Sequence, residues 1–203
     1  MDDALSFANP GGAVAVLAGA HLLGSIPFGL WLVRWIHGVD VRTRGSGNIG
    51  ATNVARAVGK SWGVLVLVLD AAKGALPVAA VSWAGGAPAL AASAGGAAVL
   101  GHVFSIFLKG RGGKGVATGA GAFAVLSPAA IGIALASFGA AAGLARSVGI
   151  GSMVGALALA VATVVLREPW YVQAAAVGVA AVVEVRHRGN FVRFLGRKPR
   201  AEP

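Results

Sequence analysis

The stretch Gly101–Gly121, GHVFSIFLKGRGGKGVATGAG, decides how the rest of this chain is interpreted. A hydrophobic run ends at Phe107 and Leu108, and a segment of glycines and cations, KGRGGKG at 109–115, separates it from the next apolar run. Glycine lets backbone N–H groups turn toward one point, and the cations add positive charge, so the ligand that suits such a loop is an anion, most often phosphate. A plain basic turn between two membrane helices would carry the same charges, and the loop by itself fits both interpretations.

The composition is that of a membrane protein. Of the 203 residues, 57% are hydrophobic and only 12% are charged, and the mean hydropathy is +0.78, whereas a soluble domain carries about 25% charged residues. The sequence pI of about 11.6 would suit a nucleic-acid-binding protein, but the apolar runs are too long and too numerous for that class. The absence of cysteine excludes a disulfide scaffold and thiolate chemistry. The net charge of +10 therefore points to membrane-flanking loops and to anionic ligands.

Apolar runs long enough to cross a bilayer predict an all-α integral membrane protein, with seven transmembrane helices in a single domain that covers 1–203. Proline at Ser25-Ile26-Pro27 predicts a kink in the first helix rather than a break. The fourth helix is short, and only Ser127 and Pro128 separate it from the fifth. The predicted helices cover approximately 11–36, 61–83, 88–108, 115–127, 129–145, 148–166 and 169–185.

The distribution of lysine and arginine predicts the orientation of the chain. With the N-terminus outside and the C-terminus in the cytoplasm, the inner side holds fifteen of the 17 cations, all except Lys73 and Arg167. Such a bias follows the positive-inside rule and supports an odd number of spans. It also places the three polar loops, 37–60, 109–115 and 186–203, on the cytoplasmic face. The fifteen inner cations are Arg34, Arg42, Arg44, Arg56, Lys60, Lys109, Arg111, Lys114, Arg146, Arg186, Arg188, Arg193, Arg197, Lys198 and Arg200.

The segment GSGNIGATNVAR at 45–56 combines glycines with hydrogen-bonding side chains. Hydroxyl and amide groups set between glycines suit a loop that wraps an oxyanion. The alternative is a solvated loop with ordinary helix-capping residues, but two asparagines and an arginine within nine residues exceed what a cap requires. The candidate site residues of this segment are Ser46, Asn48, Thr52, Asn53 and Arg56.

Two pairs of polar residues lie within or at the end of predicted helices. Asp70 and Lys73, three residues apart, share a helical face, and ionisable groups at membrane depth usually pair or line a polar cavity. We favour a structural ion pair that holds helices in register over a catalytic role. His102 and Ser105 are one turn apart just before the glycine loop, where either could support it without contacting the ligand. No cluster of histidines and carboxylates indicates a metal site.

The last polar constellation combines Ser152, near the start of the sixth helix, with the segment RHRGNFVR at 186–193. A serine at such a place most often caps its helix, and a basic juxtamembrane segment commonly binds anionic lipid headgroups. His187 and Asn190 share a helical face and add an acid/base group and an amide that simple lipid contact does not need.

With these segments in view, the chain closely resembles the bacterial membrane family of acyl-phosphate-dependent glycerol-3-phosphate acyltransferases. The resemblance runs nearly end to end and rests on GSGNIGATNVAR at 45–56, LDAAKG at 69–74, the 101–121 stretch and RHRGNFVR at 186–193. It implies seven transmembrane helices in the bacterial cell (inner) membrane, with the motifs on the cytoplasmic side. The implied reaction is the first acylation step of phospholipid synthesis: a fatty acyl group passes from acyl phosphate to the sn-1 hydroxyl of glycerol 3-phosphate, giving lysophosphatidic acid and phosphate. The implied partners are these two substrates and the lipid bilayer, without metal, cofactor or nucleic acid.

The resemblance also assigns roles to residues. Catalysis is expected from Ser46, Lys114, His187 and Asn190. The sequence departs from the family at two positions, since Gly149 stands where another serine is common and Lys198 stands where an acidic residue is usual. Substrate binding is expected from Arg56, Asn48, Thr52, Asn53, Gly112, Gly113, Gly115 and Ser152, with Asp70, Lys73, His102 and Ser105 in supporting positions.

The chemistry of this reaction suits the residues. An acyl phosphate is already activated, so the site needs only to hold two anions side by side and to stabilise the developing negative charge. We expect the loop with Lys114 to bind one phosphate, and Ser46, Arg56 and Asn190 to bind the other phosphate or the reacting carbonyl. Either His187 or a substrate phosphate oxygen takes the proton of the hydroxyl. A membrane transporter of an organic phosphate is the alternative, and it should show polar residues through the bilayer depth.

Overall fold

The computed structural model describes Leu5 and residues 7–196, and every regular element in that part of the chain is helical. Lys198, one of the two predicted departures from the family, lies outside the described residues, as do Arg197 and Arg200. The α-helices of the described part are α1 (Pro10–Ser25), α2 (Phe28–His37), α3 (Ala51–Val58), α4 (Lys60–Trp83), α5 (Pro88–Val103), α6 (Val116–Leu126), α7 (Pro128–Ala145), α8 (Val148–Val165) and α9 (Trp170–Phe194).

The first predicted helix, 11–36, is two helices rather than one kinked helix. The backbone of Ile26 is extended, with φ −60° and ψ 116°, and α2 begins only after Pro27. Proline cannot donate the backbone hydrogen bond that would continue α1. The break is held open from outside the helix, because the Ile26 carbonyl accepts a hydrogen bond from Lys73 and the Ser25 carbonyl accepts one from Ser105.

The predicted boundaries hold for four helices and fail at two others. The predictions 61–83, 115–127, 129–145 and 148–166 agree with α4, α6, α7 and α8 to within a residue. The prediction 88–108 runs too far, since α5 ends at Val103 and a separate 3₁₀ turn covers Ile106–Leu108. The prediction 169–185 stops too early, because α9 continues as a helix through the basic segment to Phe194. The predicted loop 37–60 contains α3.

Five helical segments of the described chain are long and apolar enough to cross a membrane, and α6 is a shorter apolar helix. The first of the five combines α1 and α2. The chain is therefore an integral membrane protein that crosses the bilayer more than once. The five segments are Pro10–His37, Lys60–Trp83, Pro88–Leu108, Pro128–Ala145 and Val148–Val165.

The chain forms two compact units, Met1–Leu126 and Ser127–Pro203. In the first unit, α4 packs against α6, and α1 packs against α5. The α4–α6 crossing depends on small residues, because a Cβ at Gly74 or Gly121 would overlap a backbone carbonyl of the other helix. In the second unit, α8 packs against both α7 and α9.

Candidate active site

The segment at 45–56, called the first motif below, begins with a loop that is organised around the buried amide of Asn53. Its Nδ2 donates to the carbonyls of Val41, Arg44 and Asn48, and its Oδ1 accepts from the N–H of Ser46, at 2.8 to 3.1 Å. The side chain is 2% exposed. Both hydrogens of the amide are therefore used to fold the loop, which supports a positioning role for Asn53, and its predicted substrate contact stays a prediction.

The other candidates of this motif face outward. Ser46, Thr52 and Arg56 are exposed, and the last two are four residues apart, so they share a face of α3. The Oδ1 of Asn48 accepts from the N–H of Gly50 at 2.8 Å, a local turn that leads into α3. Ser46, in the loop, and Arg56, on α3, are thus both accessible from outside the protein.

The first motif and the glycine loop meet over one hydrophobic cluster. Leu108, just before the glycine loop, packs against a buried cluster that includes Ile49 and Val54 of the first motif and Val41 shortly before it. Leu108 also lines a cleft of about 550 Å³, together with Arg42, Phe107, Lys109 and Arg111. The structure therefore brings the two predicted anion-binding segments of the first unit side by side.

One cation of this cleft is paired within its own turn. The guanidinium of Arg42 lies 2.6 Å from Oδ2 of Asp40, and this pairing lowers the pKa of the Asp40 carboxyl to about 2. A lowered carboxyl pKa stabilises the turn at pH values above the ordinary value of 3.8, and the stabilisation is lost as the pH falls toward 2. At neutral pH the pair is intact and sets the position of the Arg42 side chain.

The glycine loop is folded back onto the end of α5. The N–H of Gly113 donates to the carbonyl of His102 at 2.9 Å, and the N–H of Gly112 donates to the carbonyl of Val103 at 3.0 Å. A Cβ at Gly113 would overlap the imidazole of His102. These two glycines, predicted to bind phosphate through their N–H groups, have backbone carbonyls as partners, and they allow the loop to approach His102 closely.

Lys114 is the cation that the folded loop presents next to a helix N-terminus. It is half-buried, and Gly115 after it adopts φ +85°, a conformation that glycine takes without strain. α6 begins at the next residue, Val116. The positive end of a helix dipole and an ammonium group therefore lie close together along the chain, a combination that favours a bound anion.

A buried polar cluster lies behind the loop. Lys73 Nζ is 2.9 Å from Oδ1 of Asp70, from Nδ1 of His102 and from the carbonyl oxygen of Ile26. Ser105 donates to the Ser25 carbonyl at 2.6 Å, and the Ser25 hydroxyl donates to the Gly101 carbonyl at 3.3 Å. The predicted ion pair of Asp70 and Lys73 is present. Lys73 is also hydrogen-bonded to His102, the histidine that contacts the glycine loop.

The candidates of the second unit lie on the facing helices α8 and α9. A Cβ at Gly149 would overlap the side-chain amide of Asn190, so Asn190 packs directly on α8. Ser152, one turn after Gly149, is buried and donates to the carbonyl of Val148 at 2.9 Å. The cap of α8 is Ser147 and not Ser152. His187, one turn before Asn190, is 3% exposed.

The ring of His187 is oriented by its own helix. Its Nδ1 lies 2.8 Å from the carbonyl oxygen of Val183. A carbonyl only accepts, so Nδ1 carries the proton, and in the neutral ring Nε2 is the nitrogen that can accept one. In this tautomer, Nε2 is the nitrogen that can act as a general base.

Comparison with known proteins identifies the family. The family model for glycerol-3-phosphate acyltransferase matches residues 14–197. The glycerol-3-phosphate acyltransferase of Anaeromyxobacter dehalogenans is 50% identical over 191 residues, covering 91% of this chain and 94% of that protein. The enzyme of the same name from Myxococcus xanthus is 47% identical over 182 residues, covering 89% and 94%. The chain belongs to the glycerol-3-phosphate acyltransferase family.

Solved structures of this glycerol-3-phosphate acyltransferase family have the same fold. The integral membrane glycerol 3-phosphate acyltransferase PlsY, in its glycerol 3-phosphate form, is 36% identical with a TM-score of 0.86, covering 94% of this chain and 96% of that one. Its lysophosphatidic acid form is also 36% identical, with a TM-score of 0.85 and coverage of 94% and 95%. The predicted resemblance is confirmed over almost the whole chain.

Two features of this member of the acyltransferase family were not predicted. Ser25 and the Ile26 carbonyl hold the break in the first span, and the only sequence signal for them was Pro27. The second is the close contact between Gly149 and Asn190. A serine at position 149, which the resemblance led us to expect, would occupy the space of the Asn190 amide. The assignment of individual residues to substrate contacts stays a prediction.

Proposed function

We propose that this chain transfers a fatty acyl group from acyl phosphate to the sn-1 hydroxyl of glycerol 3-phosphate. The hydroxyl oxygen forms a bond to the acyl carbon, the bond between that carbon and the phosphate oxygen breaks, and inorganic phosphate leaves. The hydroxyl proton passes to a base or to a phosphate oxygen. The lipid product is lysophosphatidic acid.

The observation that carries this proposal is the likeness to PlsY in two forms. One contains glycerol 3-phosphate and the other lysophosphatidic acid, which are the acyl acceptor and the acylated product of this reaction. A chain that is 36% identical over 94% of its length and matches both structures at TM-scores of 0.86 and 0.85 is expected to bind the same two compounds.

Acyl phosphate is the donor that fits the chemistry of the chain. It is a mixed anhydride, so it needs neither ATP nor a covalent enzyme intermediate, and the chain contains no cysteine to form a thioester. Its apolar tail suits the bilayer, and its phosphate suits the basic residues beside the apolar spans. A site that binds both phosphates supplies proximity and stabilises the charge that develops on the leaving phosphate.

In the first unit, we assign the phosphate of one substrate to Lys114 and the start of α6, and the other anionic group to Arg56 and Ser46. Leu108 packs against the hydrophobic core beneath the first motif, which supports a common position for the two segments. Thr52, on the same face of α3 as Arg56, is assigned to the same anionic group.

In the second unit, the roles of Ser152, His187 and Asn190 in the reaction are proposed from the resemblance. The tautomer of His187, with Nδ1 donating to Val183, supports Nε2 as the acceptor of the hydroxyl proton. The packing of Asn190 on Gly149 supports an amide held in one orientation.

For the membrane, we propose seven spans, with the N-terminus outside and the reaction at the cytoplasmic face of the bacterial inner membrane. α6 and the apolar part of α9 add two spans to the five long segments. The lysine and arginine bias supports this orientation.

The test is an assay of the purified protein in lipid nanodiscs with labelled glycerol 3-phosphate and three donor conditions: acyl phosphate, acyl-coenzyme A and neither. We expect lysophosphatidic acid with acyl phosphate alone, and one inorganic phosphate released per acyl group transferred. Equal turnover with acyl-coenzyme A would overturn the donor assignment. Absence of acylation, together with uptake of glycerol 3-phosphate into proteoliposomes, would replace the enzyme with a transporter.

A further inference from the structure

Lys73 is a buried charge of the first unit with an acceptor for each of its donors. It is 1% exposed, and an ammonium group has three N–H donors and no acceptor. Its three neighbours at 2.9 Å are the carboxylate of Asp70, the carbonyl of Ile26 and Nδ1 of His102. Each N–H therefore has one acceptor, and the directions of the three hydrogen bonds fix the position of the ammonium.

This coordination fixes the tautomer of His102. Because Lys73 can only donate, Nδ1 of His102 accepts, and the proton of the neutral ring is on Nε2. Nε2 is the ring atom that a Cβ at Gly113 would overlap first. The ring therefore has one edge against Lys73 and the opposite edge against the glycine loop.

His102 contacts the loop a second time through its backbone. Its carbonyl accepts from the N–H of Gly113 at 2.9 Å. Gly113 is covalently bonded to Lys114, so a rotation of the imidazole or a shift of the end of α5 moves the start of the Lys114 backbone. Asp70, Lys73 and His102 thus form a continuous buried chain that ends one residue before Lys114.

We propose that Lys73 is a positioning residue for the glycine loop: by fixing His102 as its Nε2–H tautomer against Gly113, it sets where Lys114 is held. Lys73 makes no contact with substrate in this account. The inference rests on the proposed function in one respect, the binding of a substrate phosphate by Lys114. The link from Lys73 to His102 rests on the observed distances alone.

The first test measures the tautomer directly. ¹⁵N NMR of histidine-labelled protein in nanodiscs resolves protonated from unprotonated ring nitrogens, and the chain has only four histidines. The His102→Gln variant identifies the His102 signals. We expect His102 to be the Nε2–H form in the wild-type protein, and to lose this preference in Asp70→Asn/Lys73→Met. This double change removes both charges together, so that neither is buried without its counter-charge, and it takes the Lys73 donor away from Nδ1 of His102. A wild-type His102 in the Nδ1–H form, or an unchanged tautomer in the double variant, would overturn the proposal.

The second test separates positioning of the loop from general damage to the fold. A displacement of about 1 Å in a catalytic group costs about 10²-fold in rate, so we expect a loss of that order in Asp70→Asn/Lys73→Met. If Lys73 acts through Lys114, the same change made in a Lys114→Ala background should have little further effect. Lys60→Met, at an exposed cation of the same helix, is the control and should retain wild-type turnover. Losses that multiply in the combined variant would overturn the proposal.

The outcomes also distinguish this inference from the proposed function. If the wild-type protein does not transfer acyl groups, the proposed function fails. The NMR result still decides whether Lys73 controls the ring of His102.

Discussion

At the scale of single residues, Asn53 shows how one polar side chain can organise the backbone of a candidate site. Its amide joins four backbone groups of the 41–53 segment, and the N–H of Ser46 is one of them. The exposed position of Ser46 therefore depends on this amide. Asparagine is the residue required, because it offers one acceptor and two donors at the end of a short side chain.

Replacing Asn53 should therefore destabilise the protein as well as reduce its activity. Asn53→Ala leaves buried backbone groups without partners, which costs about 1–3 kcal/mol of folding free energy. The measurement is the unfolding of purified protein in mixed micelles as the denaturing detergent fraction is raised. The neighbouring exposed variant Thr52→Ala is the control and should unfold like the wild-type protein. Unchanged stability in Asn53→Ala, with loss of substrate binding, would instead support direct contact between Asn53 and substrate.

His187 offers a second prediction at this scale. In His187→Asn the side-chain amide can replace Nδ1–H as the donor to Val183, but it provides no nitrogen in the position of Nε2. If Nε2 is the base, this variant should lose about 10²–10⁴-fold in turnover while keeping its stability and its KM for glycerol 3-phosphate. Near-normal turnover in His187→Asn would assign the proton to a phosphate oxygen of a substrate.

At the scale of elements, the apolar runs predicted where most helices lie, but not where their backbones end. α5 stops at Val103 because Ser105 bonds to the first span and the loop amides bond to the carbonyls of residues 102 and 103. These are long-range partners that no local pattern contains. The apolar run ends at Val185, but the end of such a run marks the edge of the membrane and not the end of the helix. α9 continues through the basic segment because arginine is a good helix former.

The sequence predicted which residue types form the candidate site, but not the contacts that these residues make with the rest of the protein. Glycine and lysine at 112–115 predicted an anion site, since those residues recur where backbone and cation meet a phosphate. The use of Gly112 and Gly113 to cap α5 could not be predicted, because it depends on how closely His102 approaches. The same holds for Asn190, whose partner Gly149 lies on another helix.

The close contact of loop and helix predicts that Gly113 is intolerant of any side chain. In Gly113→Ala the methyl group must displace the His102 ring or the loop, so we expect turnover to fall by about 10²-fold, the cost of a 1 Å displacement. Gly96→Ala on α5 is the matched control, because nothing lies within 4 Å of a Cβ there. Steady-state kinetics of the two variants check this. Equal activities in Gly113→Ala and Gly96→Ala would contradict the contact.

At the scale of the whole molecule, the number of spans and their direction are open to a direct measurement. The chain has no cysteine, so single introduced cysteines report one position each. With seven spans, a membrane-impermeant thiol reagent should label Ala84→Cys and Arg167→Cys from outside intact cells. Thr43→Cys, Arg146→Cys and Leu195→Cys should be labelled only after the membrane is opened.

Two of these positions test α6 and α9, the two spans proposed in addition to the five long segments. If α6 does not cross the membrane, Arg146→Cys will be labelled from outside. If α9 does not cross, Leu195→Cys will be labelled on the same side as Arg167→Cys. Either result would contradict the count of seven.

The central claim is that Lys114 binds the phosphate of a substrate during acyl transfer, and its most direct test is the turnover of Lys114→Ala. Loss of one group that stabilises developing charge costs about 10²–10³-fold in rate. Purified Lys114→Ala should therefore lose at least about 10²-fold in the formation of lysophosphatidic acid from acyl phosphate and glycerol 3-phosphate, with unchanged thermal unfolding. Lys60→Ala, at an exposed cation outside the loop, should retain full activity. Full activity in Lys114→Ala would contradict the assignment of the glycine loop.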